Sequence, residues 1–337
     1  MKIKDIAQRA GVSTATVSNV INGNYNRVSQ ATVDKVRKII EEMDYSPNAV
    51  ARSLASKESK IIGVVIANLN MEQAFSINAY TNQVVAQLEK YVRNKGYYLM
   101  VRCVERCKEI VPILSSWNAD GAIFLGAFPE EVEELEKLLK IPTVYMDAHS
   151  PDLDIANVGI DDYKGGFLMG RYLLAKGHRK IALVTPKVDS PGVIQTRYHG
   201  FYDALKEAGL EFLPEDIFET ATDAAHGAQS GVNIALSGKG YTAAAVMSDI
   251  SALGVISGLR TGGLRVPEDV SVIGFDNLEA AKFTCPPLTT IAQNIDQKCD
   301  TAGDLLFQMI ESKKKLSVNK VLDIELVERQ SVRTIEV

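Results

Sequence analysis

The chain has 337 residues, of which 46% are hydrophobic, so it is long enough for a small domain beside one large or two medium ones. No apolar run reaches the roughly 18 residues of a membrane helix, and charged residues interrupt the N-terminus where a signal peptide needs an apolar core. We therefore predict a soluble, cytoplasmic protein with no membrane partner.

The charge is unevenly distributed along the chain. Residues 1–60 contain ten Lys or Arg and six Asp or Glu, a net charge of +4, whereas the remainder carries −9 and the whole chain −5. A basic segment on an acidic body favours phosphate contact at one end, because counterion release stabilises only the surface near nucleic acid. A chance excess of lysine is the alternative explanation of this charge pattern taken alone.

The four cysteines predict neither a disulfide framework nor a metal site. Cys103 and Cys107 are four positions apart, and Cys285 and Cys299 lie far downstream. A zinc site needs closer pairs with further Cys or His ligands nearby, which the four histidines do not supply. We expect four reduced, structural thiols, no metal and no cofactor.

The first two predicted elements are short helices joined by a tight turn. Apolar side chains recur on one face of residues 3–10, and Gly11 allows the chain to turn sharply. Ser13 can cap a second helix in which Val17, Val20 and Ile21 face inward. The outer side then carries small and polar groups, at Thr14, Ala15, Thr16, Ser18 and Asn19. A helix with this face fits a DNA major groove, so we predict a helix-turn-helix DNA-binding domain.

A third helix and a short helical segment follow. Ser29 precedes a helix predicted over residues 30–43, where apolar residues recur at helical spacing. Pro47 suits the first helical turn of the alanine-rich segment 45–57. Because helices shorter than about 12 residues are marginal in water, we expect this one to form only on binding. A disordered linker in the unbound state is the alternative.

From Ile61 onward, short apolar runs alternate with amphipathic helices, which is typical of parallel α/β architecture. The predicted strands span residues 61–67, 97–103, 121–125, 143–147, 181–185, 243–247 and 270–275. The predicted helices include residues 80–94, 130–139, 163–176, 198–208 and 252–260. Two open sheets, each covered by helices on both faces, account for these elements better than one large sheet.

Short motifs occur in a fixed order along almost the whole chain. In the first sixty residues they are Val12-Ser13, Thr16-Val17-Ser18, Asn22-Gly23, Val28-Ser29 and Pro47-Asn48-Ala49. In the core they include Asp120-Gly121, Asn157-Val158, Gly177-His178-Arg179-Lys180-Ile181, Ser271-Val272-Ile273-Gly274-Phe275-Asp276 and Pro287-Leu288-Thr289-Thr290-Ile291. Together these motifs resemble the LacI-type family of bacterial transcription regulators. A helix-turn-helix alone is a weak signal, but this order over more than three hundred residues is specific.

The resemblance implies an all-α helix-turn-helix headpiece plus an α/β core of two doubly wound parallel-sheet subdomains, similar to periplasmic sugar-binding proteins. The implied boundaries are residues 1–45 for the headpiece and 46–60 for a hinge helix or linker. Residues 61–160 and 292–318 form the N-subdomain of the core, and residues 161–291 and 319–333 its C-subdomain. A homodimer binding a palindromic double-stranded operator is also implied, with dimer against tetramer left open.

By the same resemblance, the second helix and the turns beside it contact the operator. Base-edge contacts are implied for Thr14, Ala15 and Asn19. Many family members carry Arg at the position of Asn19, and asparagine reads adenine more naturally than guanine, so we expect a different operator base there. Phosphate contacts are implied for Ser13, Thr16, Asn22, Ser29 and Thr32.

The hinge segment is implied to contact the minor groove. Leu54 would wedge between the central base pairs, where the cost of unstacking is offset by the extra surface that a bent duplex contacts. Asn48 and Ala51 belong to the same DNA-contacting set. An apolar anchor between hinge and core is the alternative role of Leu54.

A small-molecule effector is expected between the two subdomains. Ligands of open parallel sheets lie at the C-terminal ends of strands, and Asp147, Asp249 and Asp276 follow or end predicted strands. Arg197 opens a helix and resembles the family's effector arginine. Carboxylates with a guanidinium supply the hydrogen bonds that a hydroxyl-rich ligand needs, so we expect a sugar or sugar derivative. Helix capping is the alternative role of each Asp.

Two aromatic residues complete the predicted effector site. Residues 68–77 depart from the family pattern at the mouth of the expected pocket, and Ser248 replaces a more usual Asn. Tyr80 and Phe75 are expected to stack on the effector, with core packing as the alternative. The identity of the effector therefore stays open.

These features predict a sequence-specific DNA-binding regulator, a dimeric repressor whose operator binding is controlled by a small-molecule effector. We do not expect an enzyme, because the sequence has no nucleophile elbow, Walker loop or HExxH motif. Two alternatives remain: a sugar-binding protein or enzyme core with an incidental headpiece, and a regulator controlled by a protein partner. Induction against corepression is also open.

Overall fold

The computed structural model describes residues 2–21, 23–45, 58–67, 79–148, 154–188 and 192–336. The chain divides into a first compact unit of residues 1–60 and a second of residues 61–337. The first is helical and the second is α/β, which confirms the predicted fold class. Within these ranges, no helix combines the length and the hydrophobicity needed to cross a lipid bilayer.

In the described part of the first unit, three α-helices pack around a small core: α1 (Ile3–Ala10), α2 (Thr14–Ile21) and α3 (Gln30–Glu42). Gly11 follows α1 with a left-handed backbone (φ 67°), which glycine adopts without strain, so the chain turns at once into α2. Ser29 accepts the backbone N–H of Thr32 and caps α3. All three helices contribute to the buried core, which contains Ile6, Ala7, Ala10, Val17, Val20, Val33, Val36 and Ile39.

Strands and helices alternate through most of the second unit. The first elements are β1 (Ile61–Ile66), α4 (Ala79–Asn94), β2 (Tyr98–Cys103), α5 (Val111–Ser116), β3 (Gly121–Leu125), α6 (Pro129–Leu138), β4 (Thr143–Met146) and β5 (Ala156–Ile160). Next come α7 (Asp162–Ala175), β6 (Ile181–Thr185), α8 (Val193–Glu207), β7 (Ile217–Glu219), α9 (Ala224–Leu236), β8 (Ala243–Val246), α10 (Asp249–Thr261) and β9 (Ser271–Asp276). The last are β10 (Thr289–Gln293), α11 (Ile295–Ser312), β11 (Val318–Leu322) and β12 (Ile324–Val327).

The strands form two six-stranded sheets. The first sheet has the order β11-β5-β4-β3-β1-β2 and is parallel throughout. The second has the order β12-β10-β9-β8-β6-β7, with only β12 antiparallel to its neighbour. Two apolar clusters accompany each sheet. Because most central strands are buried throughout, they read as continuous apolar runs in the sequence.

All seven predicted strands and the five named helices are present, although some ends differ. The largest difference is in α8, which begins at Val193 and not at Tyr198. Five strands were not predicted: β5, β7, β10, β11 and β12. β7 has only three residues, and β11 lies at a sheet edge with three of its five residues exposed, so neither shows a continuous apolar run.

The chain passes between the two sheets at three points. These are Asp161 between β5 and α7, Asn294 between β10 and α11, and Asp323 between β11 and β12. The boundaries expected between residues 291 and 292 and between 318 and 319 fall inside β10 and β11. Both are corrected, because the hydrogen bonds of each strand keep it in one sheet.

Candidate functional site

The exposed side of α2 carries residues predicted to contact the operator. Ser13 Oγ accepts the backbone N–H of Thr16 at 3.0 Å, so Ser13 caps α2 as predicted. Thr14 and Ala15 are exposed, and Asn19 is partly exposed. The opposite side of the helix packs into the core of the first unit. The outward side is therefore small and polar, which suits entry into a major groove.

The start of α3 carries a second polar pair, in which Ser29 is exposed and Thr32 partly exposed. Ser29 Oγ accepts the Thr32 N–H at 3.3 Å and lies 2.9 Å from Thr32 Oγ1. Backbone N–H groups at a helix N-terminus suit phosphate oxygens, and the phosphate contacts of Ser29 and Thr32 stay a prediction. Five predicted site residues lie outside the described residues: Asn22, Asn48, Ala51 and Leu54 of the DNA-binding set, and Phe75 of the effector set.

In the second unit, Asp147 follows β4 and contacts side chains from two helices. Tyr80, on α4, donates its hydroxyl to Asp147 Oδ2 at 3.0 Å. Lys298, on α11, places Nζ 2.5 Å from Asp147 Oδ1. Burial and the charge of Asp147 raise the pKa of Tyr80 well above its ordinary value, so the phenol keeps its proton and remains a donor.

Asp276 is the last residue of β9 in the second sheet. Its Oδ1 accepts Gln293 Nε2 at 2.6 Å, and Gln293 Oε1 accepts Lys298 Nζ at 2.9 Å. Burial raises the pKa of Asp276 to about 6, although the nearby charge of Arg197 opposes this shift. Asp147 and Asp276, which belong to different sheets, are thus connected through two side chains.

Arg197 lies in α8 and is buried among charged, polar and aromatic groups. Nε donates to Asp162 Oδ1 at 2.7 Å, and Nη1 donates to the carbonyl oxygen of Met247 at 3.1 Å. The guanidinium carbon lies 3.7 Å from the centroid of the Phe275 ring. Burial opposes the charged form, but the charges of Asp162 and Asp276 raise the pKa of Arg197 above its ordinary value. A permanent cation therefore lies near Asp276.

Asp249 occupies the first turn of α10 and has no exposed surface. Its Oδ2 accepts the Leu278 N–H at 2.8 Å, and its Oδ1 accepts the Thr290 hydroxyl at 2.6 Å. Burial, and then the charge of Asp276, raise the pKa of Asp249 to about 8. Both oxygens of the Asp249 carboxyl group thus connect elements of the second sheet, which is a structural role. The ligand contact predicted for Asp249 from the sequence stays a prediction.

Three side chains of this site were not predicted from the sequence: Asp162, Gln293 and Lys298. Lys298 could have been found, since it lies on the same face of α11 as the buried residues Ile295 and Cys299. A lysine in an apolar helical stripe predicts a buried cation that needs an acidic partner. Asp162 and Gln293 offer no such signal.

Glycines bring α7 and α8 into close contact beneath Arg197. A Cβ at Gly166 would overlap the carbonyl oxygen of Arg197, and one at Gly200 would overlap that of Tyr163. The two helix backbones can approach this closely only where neither residue has a side chain. The position of Arg197 therefore depends on glycine in the neighbouring helix.

The described residues contain no group of three or more His, Cys, Asp or Glu side chains arranged to hold a metal ion. Cys103, Cys107, Cys285 and Cys299 are all free thiols. Burial raises the pKa of Cys299 to about 12, so this thiol stays protonated and unreactive at neutral pH.

Both units of the chain are similar in sequence to known proteins. Residues 2–48 match the family model described as bacterial regulatory proteins, lacI family, and residues 171–332 match that of a periplasmic binding protein-like domain. The HTH-type transcriptional repressor PurR of Pasteurella multocida (strain Pm70) is 34% identical over 339 residues, which cover 98% of each protein. The chain belongs to the lacI family.

Other members of the lacI family are similar over the full length. The ribose operon repressor of Haemophilus influenzae (strain ATCC 51907 / DSM 11121 / KW20 / Rd) is 31% identical over 338 residues, 99% of each protein. The structure of the lac repressor dimer bound to operator and the anti-inducer ONPF matches with a TM-score of 0.84 and 29% identity over 99% of each chain. The resemblance inferred from the sequence motifs is confirmed, and this lacI-family chain is a DNA-binding transcriptional regulator.

Proposed function

We propose that this lacI-family regulator is a dimeric, cytoplasmic repressor whose binding to a palindromic operator is controlled by a small molecule held between the two core sheets. The observation that carries the proposal is the chain of contacts from Asp147 through Lys298 and Gln293 to Asp276. It joins strand ends of both sheets, where ligands of open α/β sheets bind. The similarity to named repressors supports a regulator and not an enzyme.

The effector in this proposal is a sugar or sugar derivative. Asp147, Asp276 and Arg197 offer carboxylates and a guanidinium near one another, which suits a ligand rich in hydroxyl groups. A full-length relative is named as a ribose operon repressor, which supports a sugar. Tyr80 and Phe75 contribute the aromatic contacts, and Asp249 acts by holding the strand ends in place.

Control by the effector is proposed to act through the angle between the two sheets. Among the described residues, three chain segments, at Asp161, Asn294 and Asp323, join the sheets, so a small rotation needs few backbone changes. A ligand that contacts both sheets favours one angle over the other and thereby shifts a two-state equilibrium. In the dimer, that angle sets the spacing of the two hinge segments, and with it their fit to the operator.

On DNA, the proposal assigns base contacts to Thr14, Ala15 and Asn19, because these residues lie on the outward side of α2. The proposed phosphate contacts are Ser13, Thr16, Asn22, Ser29 and Thr32. The proposed minor-groove contacts of the hinge are Asn48, Ala51 and Leu54. A second copy of the chain presents the same set to the other half of the operator.

The experiment uses the full-length protein. An operator is first selected from random DNA duplexes, and its affinity is measured by fluorescence anisotropy with and without each sugar and nucleobase that raises the melting temperature. We expect selection of a palindrome and at least one sugar that changes operator affinity. Size-exclusion chromatography with light scattering should show a dimer.

Ala15→Glu is the matched control for DNA binding. A carboxylate on the outward side of α2 should abolish operator binding by repulsion from phosphates, while the ligand-induced rise in melting temperature stays as in the wild type. If no DNA sequence is selected, the proposed sequence-specific binding to an operator is wrong. A sugar that binds without changing operator affinity would favour control by a protein partner.

A further inference from the structure

Lys298 is a buried cation at the centre of the candidate effector site. Its side chain is only 1% exposed, and it lies near the N-terminus of α11. Burial disfavours an ammonium group, and the positive end of the helix dipole adds to that cost. The acidic groups around Lys298 must offset these two costs. Which ligands this cation can bind therefore depends on its partners in the protein.

Three oxygen atoms lie around Lys298 Nζ, as many as an ammonium group has protons. Asp147 Oδ1 is at 2.5 Å, Gln293 Oε1 at 2.9 Å and Tyr80 Oη at 3.1 Å. The phenol of Tyr80 donates its own proton to Asp147 Oδ2. Two hydrogen bonds of Lys298 are therefore used by Gln293 and Tyr80, and its charge is paired with Asp147.

The carboxylates of the site, unlike Lys298, can still form hydrogen bonds with a ligand. An ionised carboxylate accepts about four hydrogen bonds. Among the described residues, Asp147 accepts one from Tyr80 and pairs with Lys298, and Asp276 accepts one from Gln293. A ligand hydroxyl or N–H can therefore still donate to either carboxylate.

The charges of the site disfavour an anion. Lys298 is paired with Asp147, and Arg197 with Asp162, so each cation already has a carboxylate partner. A phosphate or carboxylate group on a ligand would approach Asp147 and Asp276 without a counter-charge to receive it. A hydroxyl group meets no such repulsion.

We propose that Lys298, through its commitment to Asp147, makes the site select uncharged, hydroxyl-rich ligands over phosphorylated or carboxylated ones. This inference rests on the proposed function of the site as an effector pocket. Lys298 is then a specificity-determining residue that excludes anions because its charge is already used. Freeing that charge should weaken the preference for the uncharged ligand.

The first test needs no knowledge of the effector. Asp147→Asn removes the counter-charge with little change in shape and leaves the ammonium of Lys298 available. The melting temperature of the full-length protein is measured with increasing inorganic phosphate at constant ionic strength. We expect phosphate to stabilise Asp147→Asn, but neither the wild type nor Asp147→Asn/Lys298→Met, which lacks the ammonium. An equal rise in the wild type, a rise in the double variant, or none in Asp147→Asn would overturn the proposal.

The second test compares matched ligands by calorimetry: D-ribose with D-ribose 5-phosphate, and D-glucose with D-glucose 6-phosphate. We expect the wild type to bind the uncharged member about tenfold or more tightly, since one charge-assisted contact is decisive here. Asp147→Asn should narrow that ratio by about tenfold. Tighter binding of a phosphorylated member by the wild type would refute the proposal, and this comparison does not depend on the folding of a variant.

The two tests separate this inference from the proposed function. If no sugar binds but phosphate stabilises only Asp147→Asn, the sugar effector is wrong and the role of Lys298 stands. If a sugar changes operator affinity but all three proteins respond to phosphate alike, the proposed function stands and the role of Lys298 is wrong.

Discussion

The guanidinium carbon of Arg197 lies 3.7 Å from the ring centroid of Phe275, the residue that directly precedes Asp276. The cation is held over this ring while Asp162 accepts from Nε at 2.7 Å. α7 and β9 therefore orient the guanidinium together, one by a carboxylate and the other by an aromatic face. A group held in this way loses little further freedom when it binds a ligand.

Arg197→Lys should separate ligand binding from DNA binding. Lysine keeps the charge but loses the planar fork and its stacking on Phe275, so we expect the affinity for an effector sugar to fall about tenfold or more. Operator affinity without ligand should stay close to that of the wild type. Calorimetry and fluorescence anisotropy measure the two effects. Arg171→Lys, at an exposed position, is the control, and an unchanged effector response in Arg197→Lys would contradict the assignment.

Gly166→Ala should destabilise the core. The added Cβ would overlap the backbone of Arg197, and moving α8 to accommodate it should cost about 3 kcal/mol or more in the free energy of unfolding. Urea unfolding followed by circular dichroism measures this cost. Gly209→Ala is the control, because it adds a Cβ in open space with only the strain of a left-handed backbone (φ 68°), roughly 1–2 kcal/mol. Equal costs would show that the helix contact has little importance.

His178 should make core stability depend on pH. It has no exposed surface, and its ring nitrogens lie 3.0 Å from Thr242 Oγ1 and 3.1 Å from the carbonyl oxygen of Arg333. Burial lowers the pKa of His178 to about 4, whereas an unfolded histidine titrates near 6.5. Between these values the unfolded state binds more protons, so stability is full above about pH 6.5 and is lost as the pH falls towards 4.

The corresponding measurement compares urea unfolding at pH 7 and pH 5. The wild type should lose about 2 kcal/mol more than His178→Gln over this interval, because the variant has no imidazole to protonate. His199→Gln, at an exposed position, should keep the pH dependence of the wild type. Parallel losses in wild type and His178→Gln would show that this imidazole is not the titrating group.

Asn19→Ala should change which operator bases are preferred. If Asn19 reads a base edge from α2, its removal should cost about 1–3 kcal/mol on the selected operator and relax the preference at one base pair. Thr32→Ala, which removes a proposed phosphate contact at α3, should weaken binding about equally on all sequences. Binding selections with randomised operators measure both. A uniform loss for Asn19→Ala would remove Asn19 from the base-reading set.

The sequence alone predicted the class of the protein and most of its helices and strands. Helical periodicity and capping residues such as Ser13 and Ser29 predicted the three described helices of the first unit, because the start of a short helix depends on neighbouring residues. Apolar runs predicted the strands that are buried on both faces, such as β3 and β6. β11 was not predicted, because an exposed edge strand has no such run. It is stabilised by pairing with β5, which is distant in the sequence.

In the candidate site, too, some residues were predicted from the sequence and others were not. Asp147 and Asp276 were predicted because ligand groups follow parallel strands, and Arg197 because it resembles the family's effector arginine. Three of their partners, Asp162, Gln293 and Lys298, were not predicted. Lys298, for example, reaches Asp147 only after α11 packs against the first sheet. A side chain's own chemistry can be read from its residue type, but whether it is free to bind a ligand depends on which distant groups the fold places beside it.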